Sequence, residues 1–286
     1  MTQISFEVFP PRSVDASFDL WQTSQALATL APEFVSVTCG AGSGAATHQL
    51  TREACKALTA RFGVPVAAHV TMVGQSRAEV LGAADALHAA GVRDLLALRG
   101  DAAPGQPFAA HPDGFDTTIE MVEALAGTGR FRLRVAAYPE THPESPSAAQ
   151  NIDWLKAKLD AGADSAITQF FFEPETFLRF RDACTAAGID KPIIPGLMPI
   201  ANWDQAARFA ARVGTRVPAE LAQAFAAATR DDRTRLLALA HATEMAETLL
   251  VEGVDHLHFY TLNRPGLTRD VCAALDLGAP GLRDVA

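Results

Sequence analysis

The chain has 286 residues, 49% of them hydrophobic and 20% charged. That is enough apolar material for one large core and too few charges for extended disorder. A formal net charge of −9 disfavours nucleic acid as the main partner, because counterion release needs clustered Lys and Arg.

The N-terminal segment has no basic stretch followed by an apolar one, and no run reaches the roughly 18 apolar residues of a membrane span. Cys39, Cys55, Cys184 and Cys272 lie far apart with no CxxC pair, against a disulfide framework or a zinc site. A cytoplasmic protein with reduced thiols and no membrane partner is expected. Apolar runs of strand length then recur at 4–9, 34–38, 66–72, 94–99, 133–138, 165–172, 192–198 and 256–262. Amphipathic stretches separate them at 19–30, 49–62, 78–90, 117–125, 147–161, 174–187, 203–212 and 231–251. Gly91, Gly162, Gly188 and Gly253 each sit at a helix exit just before a strand. Strand–helix alternation with short loops specifies parallel pairing, and eight units specify a closed (β/α)8 TIM barrel of the α/β class, one domain over 1–286. A further helix at 217–229, before the last strand, leaves the count intact. The competing open, doubly wound sheet wants a Gly-rich phosphate loop after the first strand, where Phe9-Pro10-Pro11-Arg12 stands instead.

Chemistry in such a barrel gathers at the C-terminal strand ends. In the first strand Ile4, Phe6 and Val8 alternate with Ser5, Glu7 and Phe9, so the apolar set faces the helices and Glu7 enters the mouth. A carboxyl there loses hydration and holds its proton near neutral pH; the alternative is a structural Glu paired with an inward Arg or Lys. Ser36 and Thr38, His69 and Thr71, Arg99 and Asp101, Tyr138 and Glu140, Gln169, and Tyr260 with Arg264 bring polar groups to other strand ends. Together these ends form a binding site. Gly40-Ala41-Gly42-Ser43-Gly44 could cradle a phosphate or simply turn the chain. The His256-Leu257-His258 pair lacks the further ligands a metal site requires.

At these ends the chain resembles the methylenetetrahydrofolate reductase family of the bacterial type, represented here by its catalytic barrel. The matching segments are SFEVFPPR at 5–12, FVSVT at 34–38, ALRGD at 97–101, AAYPE at 136–140, AITQFFF at 166–172, IPG at 194–196 and HFYTLNR at 258–264. The resemblance implies FAD as cofactor, NADH or NADPH as co-substrate, methylenetetrahydrofolate as substrate and a homo-oligomer. It implies Glu7 as general acid and Asp101 as the carboxylate beside flavin and pterin. Gln169, Phe209, Tyr260 and Arg264 correspond to substrate-contacting positions. Thr38, His69, Leu98, Arg99, Gly100, Asp101, Tyr138, His142 and Lys158 correspond to cofactor-binding ones, with Asn151 and Trp154 beside them. The chain departs from the family pattern at Cys39, Phe115-Asp116, Asn151 and Trp154, where hydrogen-bonding groups are lost, so loosely held FAD is expected. Direct hydride transfer without flavin, a non-catalytic folate- or flavin-binding relative, and a pterin-dependent methyltransferase are the other readings. Retention of Glu7 and Asp101 speaks against pure binding, and no ligand cluster supports the cobalamin or metal partner of a methyltransferase.

Overall fold

The computed structural model describes residues 2–39, 45–102 and 106–278. Its strands are β1 (Gln3–Val8), β2 (Phe34–Val37), β3 (Val66–Thr71), β4 (Asp94–Leu98), β5 (Arg132–Ala137), β6 (Ser165–Thr168), β7 (Ile193–Ile194), β8 (Gly196–Leu197) and β9 (His256–Tyr260). They form one parallel sheet in the order β7-β6-β5-β4-β3-β2-β1-β9-β8. β7 and β8 are two pieces of one barrel strand, separated by Pro195. Proline has no N–H for the ladder, but the Pro195 carbonyl accepts from the His258 N–H at 3.0 Å. Because β7 pairs with β6 and β8 with β9, the barrel closes across this seam. The expected strand at 192–198 is therefore real but broken, and the one expected at 165–172 stops at Thr168.

The helices are α1 (Val14–Ala28), α2 (Ala45–Phe62), α3 (Arg77–Ala89), α4 (Thr118–Ala126), α5 (Ala148–Asp160), α6 (Pro174–Ala186), α7 (Trp203–Val213), α8 (Ala219–Arg230), α9 (Thr234–Val251) and α10 (Pro265–Ala274). Ser13, Ser76, Thr117, Ser147 and Asn202 cap α1, α3, α4, α5 and α7 by accepting from a backbone N–H of the first turn. The expected helix at 217–229 is α8. The stretch at 231–251 is α9, which precedes the last barrel strand, so the helix that follows that strand is α10, absent from the expected set. Three helices thus separate the seventh and eighth barrel strands.

Strand alternation sorts side chains into two sets. Facing the helices, Ile4, Phe6, Val8, Val35, Val37, Val70, Leu95, Leu133, Val135, Leu257 and Phe259 join the main core. Burying each such side chain stabilises by about 1.5–3 kcal/mol. Inside the barrel, Phe34, Ala67, Leu96, Ile167 and Ile194 form a small separate cluster. Below it Asp94 accepts from Arg132 Nε and Arg134 Nη1, both at 2.6 Å, and Arg134 lies 4.0 Å over the Phe34 ring. This plug closes the N-terminal end and leaves the other end open. A third cluster, including Phe170, Phe172, Met198, Ile200 and Phe225, walls that end on one side.

Candidate active site

Glu7 is the penultimate residue of β1, paired in register with Ser36 of β2 and Tyr260 of β9. Its side chain is 13% exposed, and no Arg or Lys forms an ion pair with it among the described residues. The alternative of a structural Glu paired with an inward cation is therefore not what the fold builds. Burial alone raises the carboxyl to about 8. His69 of β3 brings its Nε2 to 3.5 Å from Oε2; burial pushes this imidazole down to about 3. With the acid protonated and the imidazole neutral, the contact is between neutral groups rather than an ion pair. The Glu7 carbonyl accepts from Thr261 Oγ1 at 2.6 Å, and Asn263 clamps Phe9 by accepting from its N–H at 2.8 Å and donating to its carbonyl at 3.1 Å. The segment that follows the last strand thereby fixes the backbone at and beyond the acid.

Beneath it runs a buried polar column that sequence reasoning did not assemble. Ser5 Oγ hydrogen-bonds His258 Nδ1 at 2.8 Å and His256 Nε2 at 2.9 Å. Both imidazoles are held well below their usual range by burial, first of all. Register supplies the missing signal: Ser5 pairs with His258 across β1 and β9, which spacing along the chain does not reveal. The two histidines are thus interior and hydrogen-bonded, and no group of three or more metal-ligand side chains occurs among the described residues.

The expected cofactor positions collect at the ends of β2 to β5. Thr38 Oγ1, Ser36 Oγ and His69 Nε2 are buried with no hydrogen-bond partner, which fits a site that a polar ligand completes. Gly100 follows β4 with φ +84°, and a Cβ there would come 2.5 Å from Val73 Cγ1, so the turn between Leu98 and Asp101 requires glycine. Arg99 grips Glu144 through both Nη atoms and stacks on Phe108 at 4.9 Å. Asp101 is exposed at the rim, close enough to act electrostatically on Arg99, Tyr138 and His142. The Tyr138 and His142 rings meet edge-to-face at 4.5 Å. Lys158 on α5 donates to the Ala136 carbonyl at 2.5 Å, and burial lowers its ammonium to about 8.

Other expectations here change in meaning. Asn151 donates to the Tyr138 carbonyl at 2.8 Å and accepts from the His142 N–H at 3.2 Å, so its amide organises the loop between β5 and α5. Trp154 stands exposed on α5. Phe115, read as a replacement in the cofactor pocket, is a core side chain beneath the Arg77 guanidinium. Cys39 accepts a weak hydrogen bond from Thr71. The glycine-rich 40–44 segment lies outside the described residues.

On the opposite side of the mouth a groove of about 470 Å³ lies between the end of β9 and α7. Phe209 lines it, stacked on Phe170 at 5.3 Å and covered by Arg212 at 4.6 Å. Leu262 and Asn263 both take left-handed backbone angles, φ 51° and 53°, a costly pair that delivers Leu262 and Arg264 to the groove wall. Tyr260 donates to the Thr168 carbonyl at 2.7 Å, and Gln169 accepts from the Phe170 N–H at 3.0 Å. Of the expected substrate residues, Phe209 and Arg264 share this groove, while Glu7, Tyr260 and Gln169 occupy the strand ends beside it. Arg208, Arg212 and Gln205 were not foreseen, although an aromatic residue flanked by two arginines on one helix was visible in the sequence.

Known proteins share this chain's sequence far more closely than its fold neighbours do. The family described as "Methylenetetrahydrofolate reductase" matches residues 1–276. The 5,10-methylenetetrahydrofolate reductase of Escherichia coli (strain K12) is 42% identical over 280 residues, covering 98% of this chain and 92% of that protein. Its counterpart in Pectobacterium carotovorum is 41% identical over 273 residues, covering 95% and 89%. Among solved structures, an uncharacterised Clostridium thermocellum protein that binds two copies of 5-methyl-5,6,7,8-tetrahydrofolic acid superposes with a TM-score of 0.62 at 12% identity, covering 96% of this chain and 94% of that one. That likeness shows the barrel alone. On the whole-length sequence match, the chain belongs to the methylenetetrahydrofolate reductase family.

Proposed function

We propose that the chain reduces 5,10-methylenetetrahydrofolate to 5-methyltetrahydrofolate with NAD(P)H as hydride donor and FAD as cofactor, acting as a single catalytic domain over 1–286. The observation that carries this reading is a protonated, cation-free carboxyl, Glu7, at the mouth of the barrel. Opening the five-membered folate ring sends the electron pair of one carbon–nitrogen bond to the leaving nitrogen, which must take a proton. Glu7 supplies that proton and becomes a carboxylate. The carbon left behind, as an iminium, accepts hydride and becomes the methyl group. The chemistry that FAD supplies when bound is hydride transfer, drawn from NAD(P)H and delivered to the folate.

The chain's own residues bind, orient and exclude water. Thr38, His69, Leu98, Arg99, Gly100, Tyr138, His142 and Lys158 are the residues that would hold FAD, with Asp101 at the rim between cofactor and pterin. Phe209 offers a flat apolar face to an aromatic ring, and Arg264 a guanidinium to a carboxylate. Gln169 and Tyr260 line the approach. A cytoplasmic homo-oligomer completes the proposal; no helix among the described residues is long and apolar enough to cross a membrane.

Direct hydride transfer without flavin draws support from Asn151 and Arg99, whose polar groups are already engaged within the protein. An absorption spectrum of the purified protein separates the two: a flavin band, bleached by NADH and restored by methylenetetrahydrofolate, is expected. Glu7→Gln should keep bleaching by NADH and lose folate reduction by about 10²-fold or more, the usual contribution of a general acid. Folate turnover near the wild-type rate in that variant would remove Glu7 from the mechanism.

A further inference from the structure

The register between β1 and β9 ends at the pair Glu7–Tyr260, and the groove wall begins just beyond it with Phe9 on one side and Leu262 on the other. Side chains take over where the ladder stops. Thr261 Oγ1 donates to the Glu7 carbonyl at 2.6 Å and accepts from the Asn263 N–H at 3.3 Å. Asn263 then spends both ends of its amide on one residue: Oδ1 accepts from the Phe9 N–H at 2.8 Å, and Nδ2 donates to the Phe9 carbonyl at 3.1 Å. From the outer side, Thr23 of α1 donates to the Asn263 carbonyl at 3.0 Å.

The residue type is needed twice. Leu262 and Asn263 are consecutive left-handed residues with no glycine between them, an arrangement that persists only where surrounding bonds over-determine it. Asparagine accepts that backbone better than most side chains do. Its amide also offers one acceptor and two donors on a single plane, which is what a peptide N–H and its own carbonyl require together. An aspartate would turn a second acceptor toward the Phe9 carbonyl, and a glycine would keep the turn while losing both bonds. The two ends of this clamp matter chemically. Phe9 lies two residues beyond Glu7, and Phe9, Leu262 and Arg264 all line the groove.

We propose that Asn263 is a positioning residue for the proton-transfer step: it locks the backbone that carries Glu7 to the strained turn that carries the groove wall, so that acid and bound folate keep one relative placement. This rests on the folate reading above, in which Glu7 is the proton donor. Asn263 acts through Glu7 and touches neither the proton nor the hydride itself. Its effect therefore belongs to folate reduction and not to the oxidation of NAD(P)H.

The test uses Asn263→Gly, in which the backbone turn stays accessible, and Asn263→Asp, which keeps the acceptor to the Phe9 N–H. In the holoenzyme, the rate of folate reduction at saturating folate should fall by about 10- to 100-fold in Asn263→Gly, the usual cost of a misplaced catalytic group, and by less in Asn263→Asp. Flavin reduction by NADH should stay within about twofold of wild type, which also reports that the barrel is folded. A double-mutant cycle separates positioning from support of the groove. Added to Glu7→Gln, Asn263→Gly should lower the residual folate rate by less than about twofold, because no acid remains to be misplaced. An equal loss in both backgrounds overturns the proposal, as does a rate near wild type in Asn263→Gly or a defect confined to KM. Should wild type reduce no folate, the functional reading fails separately, and the infrared band of the Glu7 carboxyl, identified by its loss in Glu7→Gln, then decides. A band shifted or broadened in Asn263→Gly upholds the clamp, and an unchanged band refutes it.

Discussion

At Glu7, strand alternation and burial act on one carboxyl in the same direction. The sequence places it inward through the Ile4, Phe6, Val8 pattern, and the fold then surrounds it with neutral groups. The consequence for stability follows from linkage. Between pH 4.5 and about 8 the folded protein keeps a proton that the unfolded chain has released, so this group lowers stability as pH rises through that window. Glu7→Gln, which cannot ionise, should match wild type near pH 4 and exceed it at pH 9 by on the order of a few kcal/mol. Urea titrations of both proteins at the two pH values measure this, and a difference independent of pH would mean that Glu7 is ionised when folded. Folate reduction by wild type should likewise decline as pH rises through about 8. Asn151 carries the opposite lesson. Its position was legible as part of a cofactor pocket only by resemblance, and its two loop hydrogen bonds depend on where Tyr138 and His142 come to rest.

At the scale of elements, apolar periodicity and glycines at helix exits located most helices, and the misses have physical causes. α1 begins at Val14 rather than 19 because Ser13 caps it, while Val14 and Phe18 stay exposed and give no buried period. α10 is short and opens on Pro265, directly after the strand-end motif that drew attention to its chemistry instead. The apolar run at 192–198 gave the seventh strand but not its break into β7 and β8, because two-residue pieces carry no pattern of their own. Gly196 is what allows this seam to close. A Cβ there would collide with the Thr168 carbonyl oxygen and the Tyr260 ring, and the Gly196 N–H donates to Thr168 Oγ1 at 3.0 Å. Gly196→Ala should therefore cost about 2–4 kcal/mol and shift Tyr260, since the colliding atoms belong to backbone and to a hydrogen-bonded ring. Chemical denaturation reads the loss; a cost below about 0.5 kcal/mol, the range of ordinary surface changes, would show that the seam has room to relax.

For the whole molecule, the buried imidazoles govern behaviour in acid. His69 is held near 3, His256 near 4 and His258 well below its usual range, all chiefly by burial. Below about pH 6.5 the unfolded chain takes up protons that the folded barrel refuses, so stability should fall as pH drops from 6.5 towards 4, opposite in sign to the Glu7 effect. The urea midpoint should fall over that range, and His256→Gln should flatten the decline; an equally steep decline in the variant would place the acid sensitivity elsewhere. The sequence by itself determined the barrel, since eight alternating apolar runs with Gly-terminated helices leave few other ways to bury them, and it determined Glu7, because a period of two admits only two faces. Family membership was also legible there, in short motifs at successive strand ends. Tertiary structure alone decided what closes the barrel and which histidines share a proton-bearing serine. Those outcomes join residues up to 254 positions apart, as in the Phe9–Asn263 clamp, and contacts of that range are set by register and packing rather than by any local pattern.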